Sequence, residues 1–419
     1  MSPIQPTKDG SVRIFFSVGE PSGDLHGANL IRDLRSRQPE VECVGFGGPR
    51  MAAAGCELQF DLTSLAVMWI GRVLWNIRTF FRLLANAGKY FDEHRPDAVV
   101  LIDYPGFNWH VARKAKERGI PVFYYGVPQL WAWAPWRVKK MRRTVDHALC
   151  KLPFEESWFR ERGVHATYVG HPYFDEMERQ PIDTAFLAEQ KALPQRLVTL
   201  LPGSRTQEVR SNLPAFLKTV TKMQGRVNNV RYAIASFHEK QALLARELVA
   251  QAGLEIPVHV GRTPELIQSA SVCLACSGSV SLELLWHEKP TVIHYKMAPW
   301  LYVLGRHLLM NVKYITLVNI LADNEAFINV QHPYDPCSAI AERVPFPEYP
   351  TFQDKTGLMA EHLVEWLNNE PERQRKINQL RELKQINAQP GASARAAEYI
   401  VRTLAGPKSL ETAPRRKAG

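Results

Sequence analysis

Four stretches of this chain carry side chains that could do chemistry, and each follows a short apolar run. The first is Asp103-Tyr104-Pro105-Gly106-Phe107-Asn108. A carboxylate at the carboxyl end of a strand in an open α/β sheet is well placed as a general base; the plainer alternative is a cap on the next helix. The second, Ser17-Val18-Gly19-Glu20-Pro21-Ser22-Gly23-Asp24, reads as a strand-to-helix turn whose backbone N–H groups form an anion site. It is not a GxGxxG, and Glu20 and Asp24 would repel a pyrophosphate, so a dinucleotide site is a poor reading. Asp24 as a helix N-cap is the plain alternative.

The other two stretches lie in the second half. Pro202-Gly203-Ser204-Arg205-Thr206-Gln207-Glu208 offers backbone amides and a guanidinium, which suit a phosphate. Ser277-Gly278-Ser279-Val280-Ser281-Leu282-Glu283 lets a ligand approach a helix start. Glu283, about one helical turn after Ser279, could accept hydrogen bonds from ribose hydroxyls; otherwise it is a surface glutamate. Two anion-friendly turns in one half point to a nucleoside diphosphate. No Asp-x-Asp occurs and no His, Cys or Asp cluster has metal-ligand spacing. A metal-dependent sugar transferase is therefore disfavoured, no cofactor is implied, and Arg205 with the helix starts must stabilise any leaving phosphate.

Positioning these residues requires strands alternating with helices. Strands are predicted at 13–18, 41–46, 98–102 and 121–125, with weaker ones at 147–149 and 167–169, and helices at 25–37 and 109–117. After a linker at 181–194 the alternation restarts, with strands at 197–201, 230–235, 257–260, 272–275 and 291–294 and helices at 213–223 and 239–251. This alternation implies parallel sheets with right-handed crossovers. The expected architecture is α/β, with two Rossmann-like domains, at 12–180 and 194–380, facing a central cleft. The C-terminus is helical near 372–404, and its last part, about 385–404, is expected to pack back on the first domain. The polar ends, 1–11 and 406–419, are expected to be disordered.

A length of 419 residues suits two domains. The excess of 52 Lys and Arg over 42 Asp and Glu leaves a net charge of +10, which favours phosphorylated substrates, nucleic acid or an acidic membrane surface. No nucleic-acid-binding signature accompanies the charge. The first residues lack the apolar core of a secretory signal and no window is apolar enough to span a membrane, so a cytoplasmic location is expected. The cysteines show no disulfide or zinc framework, and Cys273 and Cys276 read as buried thiols. The segment 65–84, with Trp69, Trp75, Arg78 and Arg82, has an apolar body and basic flanks typical of an interfacial helix. A core helix is the alternative. Trp131, Trp133 and Trp136, followed by basic residues, and the run 299–310 with Trp300 and Tyr302, favour membrane contact.

From about residue 13 to 404 the chain resembles lipid A disaccharide synthases. The matching blocks are Gly19–Asp24 with Gly27 and Ala28, Gly45–Gly48 with Met51, Asp103–Asn108, Pro128–Trp133, Pro153–Glu155, Gly170-His171-Pro172, Leu201–Arg205 with Glu208, Ser277–Ser279 with Leu282 and Glu283, and Tyr295-Lys296. The resemblance implies an inverting, metal-independent transferase of the GT-B fold. Its donor would be UDP-2,3-diacylglucosamine and its acceptor 2,3-diacylglucosamine 1-phosphate, joined β-1,6 at the inner face of the cytoplasmic membrane. It implies that Asp103 assists deprotonation of the acceptor 6-hydroxyl, and that Gly203, Ser204, Arg205, Ser277, Gly278 and Ser279 hold the UDP diphosphate. Glu283 would face the ribose, Asn319 would keep its place at the donor, and Glu20, Ser22, Gly23, Asp24 and His171 would line the acceptor side. An anionic membrane surface is the implied partner and a homodimer is allowed. One region departs: Ala326–Val330 stands where the family has Pro-Glu shortly before Gln331. The competing functions are another GT-B enzyme, such as a UDP-sugar epimerase, or a non-catalytic UDP-sugar or lipid binder.

Overall fold

The computed structural model describes residues 11–64, 77–305, 310–327, 334–335 and 338–406. Most of the apolar segment 65–84, with Trp69 and Trp75, lies outside the described residues, as do both termini and Val330-Gln331. The chain divides into two compact units. One holds the described residues up to Leu130, Ala134–Asp175 and the chain from Pro390 on; the other holds Trp131–Trp133 and Glu176–Gln389.

The first unit is built on seven parallel strands: β1 (Arg13–Val18), β2 (Glu42–Gly47), β3 (Glu57–Asp61), β4 (Ala98–Ile102), β5 (Val122–Tyr125), β6 (His147–Cys150) and β7 (Ala166–Tyr168), in the order β3-β2-β1-β4-β5-β6-β7. β1 is apolar on both sides, so helices must cover both faces. Ile14, Phe16 and Val18 pack with Leu30, Ile31 and Leu34 of the first helix, Pro21–Arg37. Phe15 faces the other layer, with Phe91, Phe107 and Val111.

The last helix, Ala392–Ala405, belongs to this unit, with Ala396, Ala397 and Ile400 inside the Ile14 core. Its start is held by Asp175, whose carboxylate accepts from the amides of Gly391 (2.6 Å), Ala392 (3.0 Å) and Ser393 (2.8 Å). The break before it falls at Pro390-Gly391, where Gly391 takes φ +91°.

The second unit repeats the plan with six parallel strands: β8 (Arg196–Leu201), β9 (Val230–Ser236), β10 (Val258–Val260), β11 (Ala270–Cys276), β12 (Thr291–Lys296) and β13 (Glu348–Thr351), in the order β10-β9-β8-β11-β12-β13. The predicted linker contains a helix, Thr184–Ala192, because Asp183 caps it by accepting from the Phe186 amide at 3.0 Å. Cys273 and Cys276 are buried free thiols, each pushed up to about 12 by burial.

Candidate active site

In the first sheet β1 and β4 are neighbours, with Val18 opposite Ile102. The two chemistry-bearing turns that follow them are thereby brought together. Asp103 and Tyr104 both take left-handed backbone conformations, with φ +48° and +44°. For non-glycine residues this costs of the order of 1–3 kcal/mol each and persists only where neighbours enforce it. Here the enforcement is visible. Asn108 donates to the carbonyls of Asp103 (2.8 Å), Ile102 (3.2 Å) and Ser17 (3.1 Å) and accepts from the Ser17 hydroxyl at 2.7 Å. The Tyr124 hydroxyl donates to the Asp103 carbonyl at 2.6 Å.

The first helix lies close on this turn. A Cβ on Gly19 would stand 2.3 Å from the Tyr104 ring, and one on Gly23 would stand 3.2 Å from Asp103 Oδ2. A side chain at 19 would collide with the Tyr104 ring, and one at 23 would crowd Val18 and Asp103. Glu20 occupies the N-cap of that helix and, like Ser22, is exposed. Lys151 Nζ, at the end of β6, lies 3.8 Å from Asp103 Oδ1. His26 and His171 share the neighbourhood. Burial pushes His26 down to about 4, the Asp103 charge opposes this, and Lys151 adds to it. His171 is pushed well below its ordinary value by burial, then by Lys151 and His26. His171 Nδ1 accepts from the Tyr173 amide at 3.2 Å, which leaves its proton on Nε2. His26 Nδ1 is buried without a hydrogen-bond partner. The turn after β4 thus gathers the Asp103 carboxylate, the Lys151 ammonium and two imidazoles held neutral by burial, with the Glu20 carboxylate at the neighbouring helix start.

Asp24 is a correction. It is buried, and its carboxylate accepts from the amides of Gly48, Arg50 and Met51, each at 3.0 Å, at the start of the helix Pro49–Ala53. It does not line an acceptor surface. Nor does it cap its own helix, since it sits inside the first turn.

In the second unit β8 ends in the Gly203 turn, where Gly203 takes φ +126°. The Glu208 carboxylate accepts from the amides of Ser204 (3.0 Å) and Arg205 (3.1 Å) and meets the Arg205 guanidinium at 3.4 Å. The two amides expected to bind phosphate are therefore held by a carboxylate, and a ligand phosphate there would have to displace it. The Arg205 side chain itself is 73% exposed. Next in the sheet, β11 ends at Ser277-Gly278-Ser279, where a Cβ on Gly278 would meet nothing within 4 Å. The hydroxyl of Ser281 donates to the Gly278 carbonyl at 2.8 Å, and Glu283 is buried in the helix Val280–Trp286. Asn212 ties the strand ends together. It donates to the Glu208 carbonyl (3.0 Å) and the Cys276 thiol (3.3 Å) and accepts from the Lys296 amide (2.9 Å). A cavity of about 540 Å³ opens beside it, lined among others by Glu208, Ser211, Tyr295, Lys296 and Phe352. That volume suits a drug-sized or nucleotide-sized ligand.

Asn319 is also corrected. It is fully buried; its amide donates to the Phe346 carbonyl (2.7 Å) and the Glu348 carboxylate (3.1 Å) and its oxygen accepts from the Phe346 amide (3.2 Å). It fixes the loop rather than presenting itself to a ligand. Glu348, pushed up to about 7 by burial, also accepts from the amides of Ile315 (2.9 Å) and Thr316 (3.0 Å).

Lys151, His26 and Tyr124 escaped the sequence reading. Lys151 alone left a signal: it follows a strand directly, where open sheets place ligand-facing groups. Among the described residues no group of three or more His, Cys, Asp and Glu could hold a metal ion, and no helix is long and apolar enough to cross a membrane. Apolar side chains stand in solvent on the helix Pro299–Leu304, where Trp300 is 68% exposed beside Val303 and Leu301, and at Trp136 and Phe81.

A lipid-A-disaccharide synthase of Myxococcus xanthus is 32% identical over 397 residues, covering 94% of this chain and 97% of that protein. Among solved structures, a glycosyltransferase from Rickettsia africae superposes with a TM-score of 0.57 at 9% identity, covering 95% of this chain and 99% of its own. A UDP-GlcNAc 2-epimerase from Neisseria meningitidis, solved bound to UDP-GlcNAc, gives 0.57 at 11% identity, covering 94% and 99%. These likenesses show the two-domain α/β GT-B fold. Since the lipid-A-disaccharide synthetase family model also matches residues 14–333, the chain belongs to the lipid-A-disaccharide synthase family of glycosyltransferases.

Proposed function

We propose that the protein transfers 2,3-diacylglucosamine from UDP-2,3-diacylglucosamine to the 6-hydroxyl of 2,3-diacylglucosamine 1-phosphate. The C1–O bond to the β-phosphate breaks and an O6–C1 bond forms on the opposite face, giving a β-1,6 disaccharide and UDP. Asp103 takes the proton of the attacking hydroxyl, and UDP departs carrying the negative charge. The observation that carries this reading is the strained turn that holds the Asp103 carboxylate at the end of β4, beside the Lys151 ammonium. Enforced strain of this kind gathers where geometry matters for chemistry. Lys151 sits as the counter-charge that keeps the carboxylate in place.

The donor is assigned to the second unit. The exposed Arg205 guanidinium reaches for the diphosphate, the Ser277–Ser279 turn leaves room for it, and Glu283 serves the ribose. Glu20, Ser22, Gly23 and His171 are assigned to the acceptor. No metal is needed in this scheme, because arginine and backbone dipoles neutralise the leaving group. The net charge of +10 and the exposed Trp300 helix support work on an anionic membrane surface, at the inner face of the cytoplasmic membrane.

The test is UDP release from the acylated donor with and without acylated acceptor, with the product's anomeric configuration read by NMR. Release that needs both substrates and yields a β-linked disaccharide supports the proposal. Turnover of unacylated UDP-sugars, or UDP release indifferent to the acceptor, contradicts it.

A further inference from the structure

The amino ends of the last two strands of the first sheet, away from the carboxyl ends that carry Asp103, hold a second cluster of ligating atoms. His147 opens β6, His165 immediately precedes β7, and Tyr399 comes from the last helix. His147 Nδ1 lies 3.1 Å from His165 Nδ1 and 3.0 Å from Tyr399 Oη, and Tyr399 Oη lies 3.5 Å from His165 Nδ1. Three lone-pair donors therefore form a near-equilateral triangle. A tetrahedral ion with bonds of about 2.0–2.1 Å separates its ligands by about 3.3–3.4 Å, so the triangle fits one face of such a site within a few tenths of an ångström.

The surroundings suit this use. The planes of His165 and Tyr399 stand at 76° and 68° to His147, as they would around a shared apex. Phe123 stacks on His147 at 4.6 Å and fixes its orientation. Asp146, the nearest carboxylate in sequence, is engaged by Lys116 at 2.6 Å and by the Val122 amide at 2.9 Å, so it is not a further ligand.

We propose that His147, His165 and Tyr399 form a structural site for a borderline divalent cation such as Zn²⁺, which ties the last helix to the edge of the first sheet. Both Nδ1 atoms present lone pairs when the ring protons sit on Nε2, and the phenol binds after releasing its proton to solvent. Water fills the fourth position. The ligands are 18, 234 and 252 residues apart, so no sequence spacing reveals them. The site is independent of the transferase reading.

The test uses the full chain, stripped with chelator and titrated with Zn²⁺ at neutral pH, followed by calorimetry and thermal unfolding, with Co²⁺ absorption as a report of tetrahedral geometry. One tightly bound ion per chain, a raised unfolding midpoint and a tetrahedral cobalt spectrum are expected. His165→Ala, at an exposed position, and Tyr399→Phe, which keeps the ring, should each fold and weaken binding at least about tenfold. No stoichiometric binding, which would leave the cluster a hydrogen-bonded chain only, overturns the proposal. Binding that both substitutions leave unchanged overturns it too. Binding lost in His165→Ala but kept in Tyr399→Phe removes the tie to the helix and equally overturns it.

Discussion

Asp24 and Asp103 show how one residue type divides into two kinds of work. Both carboxylates follow β-strands, and sequence alone offered each a cap or a site. The deciding fact is what their oxygens meet: three amides of a following helix for Asp24, an ammonium at 3.8 Å for Asp103. Such partners are set by crossovers that bring distant segments together, which local spacing does not encode. Asp24→Asn should therefore cost stability, about 1–3 kcal/mol for buried amides left without a charged acceptor. It should leave the acceptor KM of the remaining folded protein unchanged; chemical denaturation and steady-state kinetics on one preparation check both. The donor side shows the same limit. Arg205 was legible as a guanidinium suited to a phosphate after a strand, whereas Glu208 as occupant of the Ser204 and Arg205 amides was not, since glutamate at this position is also ordinary helix surface.

Among the elements, the strand buried throughout was read most closely, although the edge strands β7 and β10 were read as well. β4, Ala98–Ile102, is an uninterrupted apolar run, and its predicted bounds coincide with the observed strand. β3 and β13 were missed. Both lie at sheet edges, where β3 alternates exposed and half-buried residues and β13 carries Pro350. Edge strands tolerate proline and polar residues, so their sequences lose the strand signature. The last helix is held by an acid far away in sequence, Asp175. Asp175→Ala should release its first turn and cost about 1–2 kcal/mol, the loss of a strong N-cap. Hydrogen exchange should then quicken from Gly391 onward while the β8 and β11 amides stay protected; uniform quickening would mean that the helix start is not held separately.

For the molecule as a whole, buried neutral histidines set the acid limit. Burial pushes His26, His287, His294 and His362 each down to about 4. A histidine whose folded value is depressed contributes stability above its ordinary value near 6.5, and that contribution is lost as pH falls from 6.5 towards 4, because the unfolded chain takes up the proton first. The unfolding midpoint should fall across that window, and a flat profile would contradict it. Net charge and exposed aromatics predict a second global property: sedimentation with anionic vesicles that weakens when Trp300 and Val303 are replaced by serine, where unchanged binding would remove that helix from the membrane contact. The central claim is tested most directly by the kcat of Asp103→Asn, nearly the same shape without the base, at saturating donor and acceptor. A fall of about 10²–10⁴-fold with unchanged circular dichroism and unchanged donor affinity is predicted; turnover near that of the parent protein would contradict the account.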